Sequence, residues 1–364
     1  MINIAAPVID SEERRAVNEV IESGMLAQGP KVAELEKNWA EYCGVKHALA
    51  VNSGTAAIHC ALYAAGVKEG DEVITTPYSF IATINPILML GAHPVLVDID
   101  EETFNIDVSK IEVAITEKTK AIIPVDLYGQ PCDWTELQEI AKKHNLKIVE
   151  DACQAIGAEY KGVKTGSLGD FGCFSLYATK NIMCGEGGVV TTNSDEAAAA
   201  IRSFRQHGMV APYEYADLGY NYRMSDLHGA IAVEQLKKVE EFTKKRQENA
   251  RKLNDALAGI VGIKTPTVSD NRSHVYHQYT ILLDKNIQRN QFITSLRDKG
   301  VGAGIYYPKP LHAYPHIAKL GYKIGDFPVA EDLAARVVSL PVHPKVTDED
   351  IEIIVAAVKE SING

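Results

Sequence analysis

The 364 residues are 46% hydrophobic and 23% charged, which is enough apolar material for a sizeable core without disulfide or metal staples. A net charge of −11 argues against a nucleic-acid partner, although a few local N–H groups or one Arg can still hold a small anion. The cysteines at 43, 60, 132, 153, 173 and 184 form no C-x-x-C pair and no zinc-type Cys/His spacing, so they read as reduced, cytosolic and mostly buried, with no metal site.

The opening MINIAAPVIDSEERR has no basic region followed by an apolar stretch, so no signal peptide is expected. No run of 18 apolar residues is present, so no membrane span is expected either. Asp10-Ser11-Glu12-Glu13 opens a short helix with a capping-box pattern. Gly29-Pro30 opens a second, and Gly44 closes it.

A strand–helix rhythm follows. Strands are predicted at HALAV (47–51), DEVITT (71–76), HPVLVDI (93–99), KAIIPVDL (120–127), KIVEDA (147–152), FGCFSL (171–176) and GGVVTT (187–192). Helices are predicted over 54–66, over 81–90 with a bend at Pro86, and over 133–145. Continuous apolar runs alternating with helices indicate an α/β fold with a mainly parallel seven-stranded sheet covered on both faces. Ligands bind such sheets beyond the carboxyl ends of the strands.

One or two long helices run from Ser225 to about Leu257, and the domain boundary falls there. The expected division is a large α/β domain over 1–245 and a smaller α+β domain over 246–364. The latter has strands at 276–283, 301–307 and 336–342 and helices at 291–300 and 347–362.

Five stretches could carry chemistry. NSGTAA (52–57) turns from strand to helix, exposing unpaired N–H groups beside hydroxyls. It is a phosphate cradle or a plain helix cap on Ser53 or Thr55. In PYSFIAT (77–83), Phe80 or Tyr78 could stack on a flat ring or pack in the core. Glu150 and Asp151 end an apolar strand, and alternation lets only one face a given side. A carboxylate there needs a partner, either a protonated ring nitrogen or a salt bridge.

CFSLYATKNIMCGEGGVV (173–190) places Lys180 between two apolar runs. Desolvation there depresses a lysine pKa and yields the neutral amine that forms a Schiff base; snorkelling to the surface is the bland alternative. GEGG (185–188) is not a G-x-G-x-x-G fingerprint, and neither is VGAGIYY, so nicotinamide binding has no support. Finally, GYNYRMSD (219–226) sets Asn221 and Arg223 before a helix start. A phosphate turn, an aromatic, a strand-end Asp and a buried Lys are the parts that pyridoxal phosphate chemistry requires.

Taken together, the sequence resembles the DegT/DnrJ/EryC1/StrS family of sugar aminotransferases. The resemblance runs over nearly the whole chain: P-x-I-D-S-E-E, L-A-Q-G-P, NSGTAA, TTPYSFIAT, PVDLYGQPCD, EDACQAIGA, FSLYATKN, GEGGVV, GYNYRMSD, YYPKPLH and SLPVHP. It implies the aspartate-aminotransferase fold (fold type I), pyridoxal 5'-phosphate as cofactor, and L-glutamate and a nucleotide-linked keto-sugar as substrates.

Residue by residue, the resemblance implies Lys180 as the Schiff-base lysine and Asp151 facing the pyridine nitrogen. It puts Gln154 at the ring hydroxyl and Phe80 stacked on the ring. Gly54, Thr55, Ala56 and Ser175 would hold the phosphate. Asn221 would reach it from the neighbouring subunit, with Arg223 on the same edge, so a homodimer with shared sites is implied. Members that replace the lysine with His are dehydratases; Lys180 favours transamination. Leu176 stands where members more often carry an aromatic, a core change without chemical consequence.

The resemblance to members with GEGG after the lysine implies a 4-keto-6-deoxy sugar as acceptor, for cell-surface glycan or secondary-metabolite synthesis; Glu186 would lie near the sugar or be a turn residue of the glycine loop. Tyr306, Tyr307, His312 and His343 could line the pocket or be structural. Rival readings are a 3-keto sugar or cyclitol aminotransferase, and a regulatory protein that kept the fold. The regulator would be expected to have lost the lysine or the aspartate.

Overall fold

The computed structural model describes residues 1–363. Asp10 caps α1 (Ser11–Ser23), and its N–H is met in turn by Glu13, closing the capping box that the sequence predicts. Pro30 stands in the first turn of α2 (Pro30–Cys43), and Gly44 ends it in the left-handed conformation at φ 70°.

The chain then lays down β1 (His47–Val51), α3 (Gly54–Ala64), β2 (Glu72–Thr75), α4 (Asn85–Met89), β3 (His93–Leu96) and β4 (Thr119–Ile122). α5 (Trp134–His144), β5 (Lys147–Asp151), β6 (Phe171–Ser175), β7 (Gly188–Thr192) and α6 (Asp195–Phe204) follow. The seven strands form one sheet in the order β1-β7-β6-β5-β4-β2-β3. Every neighbouring pair is parallel except the two that β7 makes, with β1 and β6. All five β7 residues are buried, as expected for a strand covered on both faces. Leu176 is fully buried beside Phe174 and Trp39, in agreement with a core role.

Two predicted elements come out differently. The helix over 81–90 is a 3-10 turn (Ile81–Thr83) followed by the separate α4, with Pro86 in the first turn of α4. Proline is tolerated there because its missing N–H has no helical partner to lose. The strand over 301–307 is reduced to isolated bridges, Ile2 with Val301 and Gly304 with Ser339. Gly302 and Gly304 interrupt it, and glycine weakens a strand interior.

α7 (Asp226–Leu236) and α8 (Val239–Leu257) lead into a three-stranded antiparallel sheet of β8 (Ile263–Lys264), β9 (Tyr279–Leu283) and β10 (Val337–Leu340). α9 (Arg289–Asp298) and the terminal α10 (Asp348–Asn363) pack against it. The expected boundary at 245 falls inside α8. Val239 and Phe242 belong to the core under the large sheet, while Ala250, Leu253 and Leu257 belong to the core of the small one. The chain start also joins the small unit: the Ile2 N–H donates to the Gly300 carbonyl at 2.8 Å. We propose the large and small units as two domains hinged on α8.

Candidate active site

The strand ends converge on a cleft of about 500 Å³ between the large sheet and the 277–307 region of the small unit. The turn after β1 supplies Ser53, Gly54 and Thr55, and the segment after β2 supplies Ser79, Phe80 and Thr83. Asp151, Cys153 and Gln154 come from the end of β5, and Ser175 and Lys180 from the end of β6. This is where an open α/β sheet offers its ligand site.

The β1–α3 turn is both cap and cradle. Ser53 is the N-cap, and its hydroxyl accepts from the Ala56 N–H at 3.1 Å. Ala56 is therefore not on the cleft wall; its N–H, expected to hold a ligand, is spent on the cap. The N–H groups of Gly54 and Thr55 make no hydrogen bond among the described residues. They are orphan donors at the positive end of α3. A Cβ at Gly54 would sit 2.8 Å from Ser175 Cβ, so glycine is what brings this turn onto the β6 end. The GEGG loop has a related purpose: a Cβ at Gly188 would lie 2.3 Å from the Ser53 carbonyl oxygen. That glycine lets β7 approach the turn itself.

Asp151 is buried and faces the cleft, whereas Glu150 points to the opposite side of the sheet, as strand alternation requires. Thr83 donates its hydroxyl to Asp151 Oδ2 at 2.8 Å, and the Cys153 N–H donates to Oδ1 at 3.3 Å. Asp151 has no salt-bridge partner among the described residues, so the mundane ion pair is absent. Glu150 accepts from the Gly166 and Leu168 N–H groups at 2.6 and 3.3 Å. Burial, then the nearby Asp126, push its carboxyl well above the usual range.

Lys180 sits in a turn pinned by bonds from the Leu176 N–H to the Gly187 carbonyl and from the Ala178 N–H to the Gly185 carbonyl. Its side chain lines the cleft and makes no hydrogen bond or ion pair among the described residues. Burial holds its amine below the usual lysine range, and the Cys153 thiol and Asp151 oppose that only in part. This is a lysine kept from the surface, as the sequence suggests.

Phe80 is 55% exposed although apolar, and its ring lies 6.1 Å from that of Tyr307 across the cleft. Tyr78, by contrast, is a fully buried core residue. Gln154 accepts from the Tyr128 N–H at 3.0 Å and donates to the Tyr307 hydroxyl at 3.2 Å, which fixes its amide orientation. Ser175, Glu186 and Tyr306 also line the wall.

Four expected residues do not. His312 is buried, 2.9 Å from Glu331, with its ring edge against Phe327, so it packs inside the small unit. Asn221 and Arg223 lie alongside the end of β1: the Asn221 carbonyl accepts from Asn52 at 3.3 Å, and Arg223 bridges to Val51. Neither side chain enters this chain's cleft. His343 pairs with the Asn3 carbonyl at 3.0 Å and is likewise structural.

Sequence reasoning missed Thr83 and His277. Thr83 lies inside the stretch read for its aromatics, and only folding brings it to Asp151. His277 lies in a segment read as plain strand.

A sequence model of the DegT/DnrJ/EryC1/StrS aminotransferase family matches residues 7–359. The chain is 41% identical to the spore coat polysaccharide biosynthesis protein SpsC of Bacillus subtilis, with 98% of this chain and 96% of that protein covered. It is 40% identical to the GDP-perosamine synthase of Caulobacter vibrioides, covering 99% and 98%. The crystal structure of DesV from S. venezuelae superposes with a TM-score of 0.93 at 34% identity, over 96% of this chain and 94% of DesV. The fold, the cleft and these comparisons together place the chain in the DegT/DnrJ/EryC1/StrS aminotransferase family, with the fold type I architecture of pyridoxal-phosphate-dependent aminotransferases.

Proposed function

We propose that this enzyme uses pyridoxal 5'-phosphate to move the amino group of L-glutamate to a nucleotide-linked keto-sugar, a 4-keto-6-deoxy sugar in particular. The observation that carries the reading is Lys180: a partnerless, partly buried amine in one cleft with Asp151 and the open N-terminus of α3. The residues present fit the cofactor. The free Gly54 and Thr55 N–H groups, with the Thr55 and Ser175 hydroxyls, suit a phosphate. Phe80 offers an exposed ring face, Gln154 an amide N–H, and Asp151 an anion for a ring nitrogen. When bound, the cofactor supplies an electron sink for the carbanion left as the donor loses its Cα proton.

The chain's own groups do the rest. Asp151, steadied by Thr83 and the Cys153 N–H, would face the ring nitrogen and keep it protonated. Lys180, whose amine burial holds below the usual lysine range, would take the donor's Cα proton and would return it to the aldehyde carbon that the cofactor supplies. Such proton transfer contributes about 10²–10⁴-fold. Glu186 and Tyr306 line the same cleft and would contact the sugar. Asn221 and Arg223 would act on the cleft of a second copy, since they stand outside their own. Exposed Val210, Tyr213 and Tyr215 on the hairpin at 209–215 give such a copy apolar surface to cover. The likeness to a GDP-perosamine synthase supports a nucleotide sugar as acceptor.

The test has two stages. Purified protein with cofactor should show the visible absorbance of a lysine-bound cofactor, bleach on adding glutamate and release 2-oxoglutarate. Lys180→Ala should lose the absorbance and the turnover; absorbance retained in that variant overturns the assignment. Bleached enzyme is then offered UDP-, GDP- and dTDP-linked 4-keto and 3-keto sugars, with mass detection of the amino product. Turnover only with a 3-keto sugar or a cyclitol ketone would replace the substrate reading.

A further inference from the structure

We propose that His277 is a positioning residue for Lys180, presenting a bare ring nitrogen, Nε2, at the lysine end of the cleft as a fixed hydrogen-bond acceptor. The proposal rests on the reading of Lys180 as the amine that moves the proton.

The argument starts one residue beyond the lysine. Asn181 is buried, and its Nδ2 donates to the Val275 carbonyl at 3.0 Å. A carbonyl can only accept, so the amide nitrogen must face Val275 and the amide oxygen must face the other way. That oxygen lies 3.2 Å from His277 Nδ1. An amide oxygen also only accepts, so Nδ1 carries the proton. In a neutral imidazole the lone pair then belongs to Nε2. Nε2 makes no hydrogen bond among the described residues, and His277 lines the cleft together with Lys180.

The surroundings keep the ring in that state. Arg246 is buried under the same segment, donating to the Tyr276 carbonyl at 3.0 Å and paired with no carboxylate among the described residues. Burial, then the positive charges of Lys180 and Arg246, hold the His277 pKa well below the usual histidine value. Protonation would add a positive charge to an enclosed site that already holds the unpaired Arg246. Nε2 therefore remains an acceptor and does not compete for the proton that Lys180 carries.

An acceptor is what the lysine lacks. A neutral amine has two N–H bonds and one lone pair, and the Lys180 side chain has no hydrogen-bond or ion-pair partner among the described residues. Taking one N–H onto Nε2 fixes the direction of the lone pair. Proton transfer needs that lone pair aimed at the substrate carbon, and orientation of a reacting group is a large share of catalysis. No proton passes to His277. A purely structural histidine, satisfied by Asn181, would be replaceable by any side chain of similar shape.

The experiment compares His277→Phe, which keeps a ring but no acceptor, with His277→Gln, whose amide can donate to Asn181 and still accept. The readout is the single-turnover rate of cofactor bleaching by glutamate. The Phe variant should be slower by about 10²-fold with cofactor affinity retained, its melting temperature falling because the buried Asn181 amide oxygen loses its donor, and the Gln variant should recover most of both losses. A Phe variant within about twofold of wild type, or one that changes only KM for the keto-sugar, overturns the proposal.

A second readout needs no turnover. In ¹⁵N-histidine-labelled holoenzyme, with the His277 signal assigned by its loss in His277→Gln, the ring should be the neutral Nδ1–H tautomer at pH about 6, below the usual histidine pKa of about 6.5. An Nε2–H tautomer or an imidazolium ion refutes it. If wild-type enzyme fails to bleach with glutamate, the functional reading falls, and the tautomer still decides the claim about His277.

Discussion

Replacing Gly54 with alanine adds a methyl group where two elements already touch. The new Cβ would lie 2.8 Å from Ser175 Cβ and 3.1 Å from Cys153 Sγ, against an optimum of about 3.5–4.0 Å for carbon pairs. The Cys153 sulfur can swing aside. Ser175 Cβ cannot, because its position follows from the backbone of β6, which is paired with β7 at that residue. Relief must come from moving the first turn of α3 away from β6. Overpacking of this kind costs about 1–3 kcal/mol, while alanine regains at most about 1 kcal/mol over glycine in helix propensity. Strain wins, with a net loss of about 1–2 kcal/mol. The same movement separates the Gly54 and Thr55 N–H groups from the Ser175 hydroxyl. Cofactor affinity should fall about tenfold or more, since about 1.4 kcal/mol is a factor of ten. Denaturant titration of the apoprotein and absorbance titration with pyridoxal phosphate measure the two effects. A Gly54→Ala variant as stable as wild type, with unchanged affinity, would refute the view that this glycine sets the turn against β6.

Three further outcomes follow from the same geometry. Asp151→Asn keeps an acceptor for Thr83 but removes the charge, so cofactor should still bind while glutamate bleaching slows by about 10²-fold or more in stopped flow; unaltered rates would contradict the role of the anion. Burial lowers the Lys180 pKa, so the neutral amine becomes available as pH rises through a value below the usual lysine range. The rate at which apoprotein captures pyridoxal phosphate should rise along that limb, and a limb at the ordinary lysine pKa of about 10.4 would show that the amine is solvated. Asp126 is fully buried and pushed up to about 7, chiefly by desolvation. A raised folded-state pKa means that stability is full below the usual aspartate value of about 3.9 and is lost as pH rises through about 7. Asp126→Asn should therefore gain on wild type in denaturant midpoint at pH about 8 relative to pH about 4, and parallel profiles would count against the buried charge.

Much of the molecule was legible in the chain because its signals are local. Seven short apolar runs specify seven strands; burial on both faces leaves little else for such sequences to do. The Asp10 capping box, Pro30 and Gly44 set helix ends through bonds that span four residues at most. Lys180 and Asp151 stood out because a charge ending an apolar run needs a reason. The resemblance to a known family added the cofactor and the roles around it. Pairings between distant residues were not legible. Nothing in PYSFIAT marks Thr83, rather than an aromatic, as the partner of Asp151. Nothing in YYPKPLH separates Tyr306 and Tyr307, which face the cleft, from His312, which turns inward to Glu331.

The sequence by itself determined where the strands lie, which residues end them, and that a lysine and an aspartate are held away from water, since propensity and hydrophobic period act over a few neighbours. Only the tertiary structure decided that β7 runs against its neighbours and that the glycine of β7 meets Ser53. It alone brought His277 into the cleft that Lys180 lines. Each of these depends on contacts between residues tens to hundreds of positions apart, and such contacts exist only once the sheet has closed the distance.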